Sequence, residues 1–275
     1  MSTRVKPFPI WGLFALLTNA ILMLVVILLI WRQQKLSPVF GTTTSSSPPV
    51  NLNWTNQYVS PELGPRHKLS YQQWLEILKQ EAIVAAEKQP PRLTVLAGDS
   101  LSLWFPPELL PENKAWLNQG ISGETTEGLL NRLELFDHTQ PETVLVMIGI
   151  NDLIRGISDE EILDNQRRII RYLREKHPQA QIFVQSILPH GDKEATWEQK
   201  EKLLAIPNNR IRQLNERLKQ IASDQGAKYL DLHSLFINKE GNMRQEFSTD
   251  GLHLSPQGYL VWRTALQIYT PSQSQ

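Results

Sequence analysis

Cysteine is missing from the whole chain of 275 residues. That absence removes disulfides, thiolate nucleophiles and cysteine-ligated zinc together. It leaves the compartment open. Excess charge of one sign is missing too: 28 Lys and Arg balance 28 Asp and Glu. Nucleic-acid-binding domains usually carry a basic excess, so no nucleic-acid partner is expected. The chain contains no Walker A loop and no G-x-G-x-x-G, the two common phosphate-cradling loops. It also lacks the G-x-S-x-G elbow. Ser100 is followed by Leu101-Ser102, and Ser122 by Gly123-Glu124.

What is present begins with one long apolar run. Residues 10–31, IWGLFALLTNAILMLVVILLIW, carry no charge. As a helix rising 1.5 Å per residue they span roughly 33 Å, close to the roughly 30 Å of a bilayer's hydrocarbon core. Trp11 and Trp31 stand at the two edges, where indole rings favour the interface. A cleaved signal peptide has a shorter apolar core and a small-residue cleavage site, and the following RQQKLSPVF offers none. The expectation is an uncleaved single-pass transmembrane signal-anchor, with the membrane as a partner. Arg4 and Lys6 on one side balance Arg32 and Lys35 on the other. Orientation therefore rests on the default that long domains translocate largely regardless of charge, which puts the catalytic domain on the extracytoplasmic side.

Residues 1–9 read as a tail, and 32–67 as an extended Ser/Thr/Pro-rich linker. Residues 68–270 read as one folded domain, and 271–275 as a C-terminal tail. From residue 68 apolar positions recur at helical spacing through Leu69, Trp74, Leu75, Ile77 and Leu78 until Pro90-Pro91. Strands are predicted at 93–97, 115–119, 143–148, 181–187 and 228–232. Helices are predicted at 123–135, 159–176, 199–224 and 256–268. Ser158 with Glu161 reads as a capping box, and Ser255-Pro256 as an N-cap before a first-turn proline. Gly226 closes the third of these helices. The first and third strands are continuously apolar, as strands covered on both faces are. The fold class is therefore α/β: three layers, α/β/α, around a mostly parallel sheet of about five strands, plus the one transmembrane helix.

Ligands of open α/β sheets bind beyond the carboxyl ends of the strands. There the chain places Gly98-Asp99-Ser100, Gly120, Gly149-Ile150-Asn151-Asp152 and, before the last helix, Asp250-Gly251-Leu252-His253. A serine nucleophile needs a base, a group to orient that base, and donors for the oxyanion. Ser100, His253 and Asp250 fill the first three roles. The N–H groups of Ser100 and Gly120 and the Asn151 amide fill the last. Asp99 is expected to brace the turn and Asp152 to bond loop backbone. His67, His138, His177, His190 and His233 read as structural or solvated.

This set, in this order, resembles the SGNH or GDSL hydrolase superfamily over residues 92 to 268. The resemblance implies a flavodoxin-like sheet and a Ser100–His253–Asp250 triad with an oxyanion hole of Ser100, Gly120 and Asn151. It implies hydrolysis of carboxylic esters, acyl or acetyl, with no metal and no cofactor. The partner is then a small-molecule, glycan or lipid ester. A lysophospholipase or thioesterase, a non-catalytic tethered binding module and a nucleotide-binding domain are the competing readings. The last leaves Asp250 and His253 unexplained. Trp104, Phe105, Leu109 and Leu110 read either as core or as the lining of an acyl pocket. Residues 190–209 read either as a flap or as the start of a helix.

Overall fold

The computed structural model describes residues 69–269. The expected anchor at 10–31, the linker, His67 and both tails lie outside the described residues. Among the described residues no helix is long and apolar enough to cross a membrane.

Five parallel strands form one sheet: β1 (Leu93–Gly98), β2 (Ala115–Gly120), β3 (Thr143–Met147), β4 (Gln181–Gln185) and β5 (Lys228–Leu230). Their order is β2-β1-β3-β4-β5. That is the flavodoxin-like order, whose switch point lies between the first and third strands. Every residue of β1 and β3 is buried, as expected for strands with helices on both faces. One face packs Val95, Ala97, Val144, Val146 and Ile182 against α1 (Tyr71–Lys88) and α5 (Asp159–Lys176). On that side Val184 also meets α7 (Asn208–Asp224). The other face packs Leu96, Leu145, Met147 and Phe183 against α9 (Pro256–Tyr269), whose Trp262 is fully buried. Buried Trp262 also needs a partner for its N–H, and its Nε1 donates to Gln185 Oε1 at 2.8 Å.

Short helices begin directly after strands: α2 (Ser100–Leu103) after β1, α4 (Ile150–Ile154) after β3 and α8 (His233–Phe236) after β5. They are too short to show a helical period in the sequence. Two longer predictions divide. The helix expected at 123–135 is α3 (Thr126–Leu130) followed by a 3₁₀ turn at Leu133–Phe136. Residues before Thr126 form a loop, and Thr125 caps α3 by accepting the Gly128 N–H. The helix expected at 199–224 is α6 (Lys200–Leu204) and α7, divided at Pro207. Proline has no N–H to continue the first helix and restricts the residue before it.

Two strands end two residues earlier than predicted. Beyond β4 the Ile187 N–H and C=O pair with the Asn215 side chain, both at 2.8 Å. Beyond β5 the Leu232 and His233 N–H groups bond Ser186 Oγ. Side chains thus replace the ladder at both ends. Ser158 caps α5 by accepting the Glu161 N–H, and Ser255 Oγ accepts the Gly258 N–H in the first turn of α9. Gly226 follows α7 with φ of 66°.

Candidate active site

β1 ends at Gly98, and the chain turns at once into α2 with Ser100 as its first residue. The turn is set by Asp99, the N-cap, whose Oδ1 accepts the Leu101 N–H at 3.0 Å. The Ser100 N–H lies in the first turn of a helix, where no intrahelical acceptor exists. Asp99 is 1% exposed, and its Oδ2 has no partner among the described residues. Burial, reinforced by the charges of Asp152 and Glu124 and opposed by the Leu101 N–H, pushes its carboxyl up to about 7.

The candidate base His253 and its candidate orienter Asp250 share one loop. His253 Nδ1 and Asp250 Oδ2 are 2.8 Å apart. Asp250 Oδ1 accepts the N–H groups of Leu252 and His253 at 2.9 and 2.7 Å. Burial pushes the Asp250 carboxyl up, but these bonds and the imidazole outweigh it and hold the group below its usual range. An ionised Asp250 accepts the Nδ1 proton, so Nε2 is left as the basic nitrogen. Ser248 Oγ closes the loop by accepting the Gly251 N–H and donating to the His253 carbonyl, both at 2.7 Å.

Two contacts bring that loop and α9 to the Ser100 turn. The His253 ring lies 4.2 Å from the ring of Trp104, the residue that ends α2 and donates its N–H to the Ser100 carbonyl at 2.9 Å. Tyr259 on α9 donates its hydroxyl to the Leu101 carbonyl at 3.0 Å. Among the described residues the Ser100 hydroxyl has no hydrogen-bond partner. The His253–Asp250 pair of the expected set is therefore formed, and Ser100 and His253 are not joined by a hydrogen bond. Such bonds are often long until substrate is bound.

Asn151 is the second residue of α4, which follows β3, the strand next to β1. Its Nδ2 donates to the Glu124 carbonyl at 3.1 Å, which leaves the second amide N–H for another acceptor. Asp152 is fully buried and bonds loop backbone as expected, accepting the Thr126 N–H with both oxygens at 3.1 and 3.0 Å. Arg155 adds a bond from Nη2 to the Gly123 carbonyl at 2.6 Å. So α4 and its C-cap Arg155 clamp the loop at 121–126 through three side chains.

Gly120 requires correction. Its N–H donates to Asn118 Oδ1 at 2.9 Å, so it is not free for an oxyanion. A Cβ there would stand 2.4 Å from Leu103 N and 2.9 Å from the Asp99 carbonyl. Gly120 is glycine because α2 packs directly on it. The free donor lies three residues on: Gly123 N–H bonds nothing among the described residues, on the loop that Asn151 holds. The sequence signal for it was Ser122-Gly123, a small pair in the same post-strand loop.

Phe105 and Leu110 are buried in the core, Trp104 and Leu109 pack against it, and the Trp104 ring also meets the His253 ring. Residues 190–209 are packed rather than a free flap. Thr196 and Trp197 donate their N–H groups to the Asp250 carbonyl at 2.8 and 2.9 Å, and Gly191 donates to the Gly251 carbonyl at 2.7 Å. The segment thus buttresses the loop of the acid. His177, His190 and His233 are buried, and His138 is exposed. Among the described residues no cluster of three His, Asp or Glu side chains is placed to hold a metal.

Comparison with known proteins bears on the family and the fold. The profile of the GDSL-like Lipase/Acylhydrolase family matches residues 88–261. Platelet-activating factor acetylhydrolase IB subunit alpha1 of Homo sapiens is 28% identical over 198 residues, covering 68% of this chain and 78% of that protein. The solved structure of a protein proposed to be a platelet activating factor, from Streptococcus pneumoniae, has a TM-score of 0.64 at 25% identity, covering 72% of this chain and 93% of the other. A GDSL-like lipase of Bacteroides thetaiotaomicron shares the fold, with a TM-score of 0.59 at 16% identity over 71% of this chain and 97% of its own. The chain belongs to the GDSL-like lipase/acylhydrolase family.

Proposed function

We propose that this acylhydrolase is a serine esterase in which Ser100 attacks, His253 moves the proton and Asp250 orients His253. The His253–Asp250 bond of 2.8 Å, on a loop stacked against the end of the Ser100 helix, carries the reading. His253 Nε2 takes the Ser100 proton as Oγ bonds the ester carbonyl carbon. The carbonyl oxygen becomes anionic and accepts from the N–H groups of Ser100 and Gly123 and the second N–H of Asn151. The carbon–oxygen ester bond then breaks, and His253 protonates the leaving alcohol. Water, deprotonated by His253, releases the acid from Ser100.

Ser100→Ala is expected to abolish turnover and labelling by a fluorophosphonate while the melting temperature stays within a few degrees. Retained turnover in a folded variant would overturn the assignment. Asn151→Ala is expected to lower kcat by about 10²-fold or more, as loss of a single oxyanion donor does; a loss under threefold removes Asn151 from the set.

The acyl group is proposed to be short. Phe105 and Leu110, two of the residues that could have lined an acyl pocket, are instead held in the core, which leaves less apolar lining for a long chain. The 28% identical relative is an acetylhydrolase by name. A series of p-nitrophenyl esters is expected to peak at acetyl or propionyl, and a peak at eight carbons or more would favour the lysophospholipase reading instead. The apolar run at 10–31 is proposed to tether the enzyme to a membrane. Carbonate-resistant pelleting of the full chain, abolished by deleting that run, is the expected result.

A further inference from the structure

Glu124 and Arg132 are an ion pair inside the domain. Arg132 Nε and Glu124 Oε2 are 2.7 Å apart, and the side chains are 2% and 5% exposed. Neither belongs to the triad or donates to the oxyanion. Buried pairs are weak stabilisers, because desolvation of both charges offsets their attraction. This pair is not even fully satisfied: Arg132 Nη1 has no partner among the described residues, and an unsatisfied buried donor is costly. Stability alone therefore explains it poorly.

Its connections explain it better. Arg132 Nη2 donates to the Gly98 carbonyl at 3.2 Å, the last residue of β1 and two before Ser100. Glu124 Oε1 accepts the Thr125 N–H at 3.2 Å, and Tyr71 on α1 donates to Oε2 at 3.3 Å. The Glu124 carbonyl accepts from Asn151 Nδ2 at 3.1 Å. Gly123, beside it, carries the free N–H. The guanidinium fork thus joins the strand end that presents Ser100 to the residue whose carbonyl holds Asn151 and whose chain neighbour is Gly123. The space for it is provided locally: a Cβ on Gly128 would lie 1.8 Å from Glu124 Oε1.

We infer that Arg132 and Glu124 are positioning residues that set the oxyanion donors Asn151 and Gly123 in register with Ser100. This rests on the esterase reading above. The pair touches no substrate and acts through the Glu124 backbone and the Gly98 carbonyl. Displacement of a donor by a fraction of an ångström weakens a transition-state bond more than a ground-state one. The effect therefore falls on kcat rather than KM.

The test exchanges the pair for apolar residues of similar length, Glu124→Met with Arg132→Met, in the parent and in the Asn151→Ala background. The double variant is expected to fold, with KM within threefold and kcat lowered by about tenfold or more. In the Asn151→Ala background the same exchange is expected to cost less than in the parent, because the share of the loss that passes through Asn151 is already gone and only the Gly123 share remains. A kcat within threefold of the parent overturns the inference, as does an undiminished loss in the Asn151→Ala background. If the double variant does not fold, Arg132→Lys is measured by the same thresholds, since lysine keeps the charge but lacks the fork that reaches both partners. Failure of the esterase reading shows separately, as turnover by Ser100→Ala. The inference fails alone when that variant is inactive and the pair exchange is silent.

Discussion

Asp99 precedes the candidate nucleophile, and its two oxygens live differently. Oδ1 shapes the turn through the Leu101 N–H, while Oδ2 is buried without a partner. With its carboxyl raised to about 7, the native state holds a proton that the unfolded chain releases near the ordinary carboxylate value of about 3.9. Asp99 therefore adds nothing against stability below about pH 4, and costs progressively more as pH rises to 7. Asn keeps the Oδ1 acceptor and never ionises. Asp99→Asn is expected to raise the melting temperature at pH 8 by about 5 °C, with the gain gone at pH 4. An equal gain at both pH values would show that the effect is not ionisation. The same stretch shows what a residue string can and cannot tell. The bracing role of Asp99 was legible, because a short acidic side chain at the start of a helix has one obvious acceptor duty. Gly120 was misassigned because a glycine shows that something approaches closely and not what. Here it is α2, and the free amide is that of Gly123.

At the scale of elements, the strands and the long helices could be read because their periods extend over enough residues. The breaks could not, apart from the proline signal at 207, since they are made by distant side chains. Asn215 ends β4, Ser186 ends β5, and α2, α4 and α8 have too few residues to show a period. The loop carrying Asp250 is an element of the same kind, defined by contacts rather than by pattern. Gly251 there has φ of 89°, and a Cβ would stand 2.5 Å from Ala195 Cβ on the buttressing segment. Gly251→Ala should cost about 1–3 kcal/mol of backbone strain and push that segment off the loop. Because the Asp250 carbonyl accepts from Thr196 and Trp197 on it, the acid shifts with it. We expect kcat to fall by about tenfold with KM little changed and a lower melting temperature. A variant that melts early but keeps its kcat would show that the buttress serves stability alone.

For the molecule as a whole, the layered α/β architecture followed from alternating patterns, and the β2-β1-β3-β4-β5 order followed from the family resemblance. That order explains why residues as far apart as Ser100 and Asn151 follow the ends of adjacent strands: β1 and β3 are neighbours across the switch point. What no pattern revealed is the state of the buried histidines. His177, His190 and His233 are each pushed below the usual value by burial. Asp137 opposes this at His177, the Ile206 carbonyl and Asp192 at His190, and Asp231 and Glu216 at His233, where Arg212 reinforces it. A lowered folded-state value means that the unfolded chain takes up protons first. Their contribution is therefore whole above about pH 6.5 and is lost as pH falls below it. Asp99 works in the opposite direction over an overlapping range, so in the parent the two trends partly cancel between pH 7 and 5. Removing the Asp99 titration should uncover the histidines. The melting temperature of Asp99→Asn is expected to fall more steeply from pH 7 to pH 5 than that of the parent, as measured by calorimetry in matched ionic strength. Parallel profiles would mean either that Asp99 is ionised throughout the range or that it contributes nothing. A variant profile that is flat from 7 to 5 would mean that the three histidines are not held neutral by the fold.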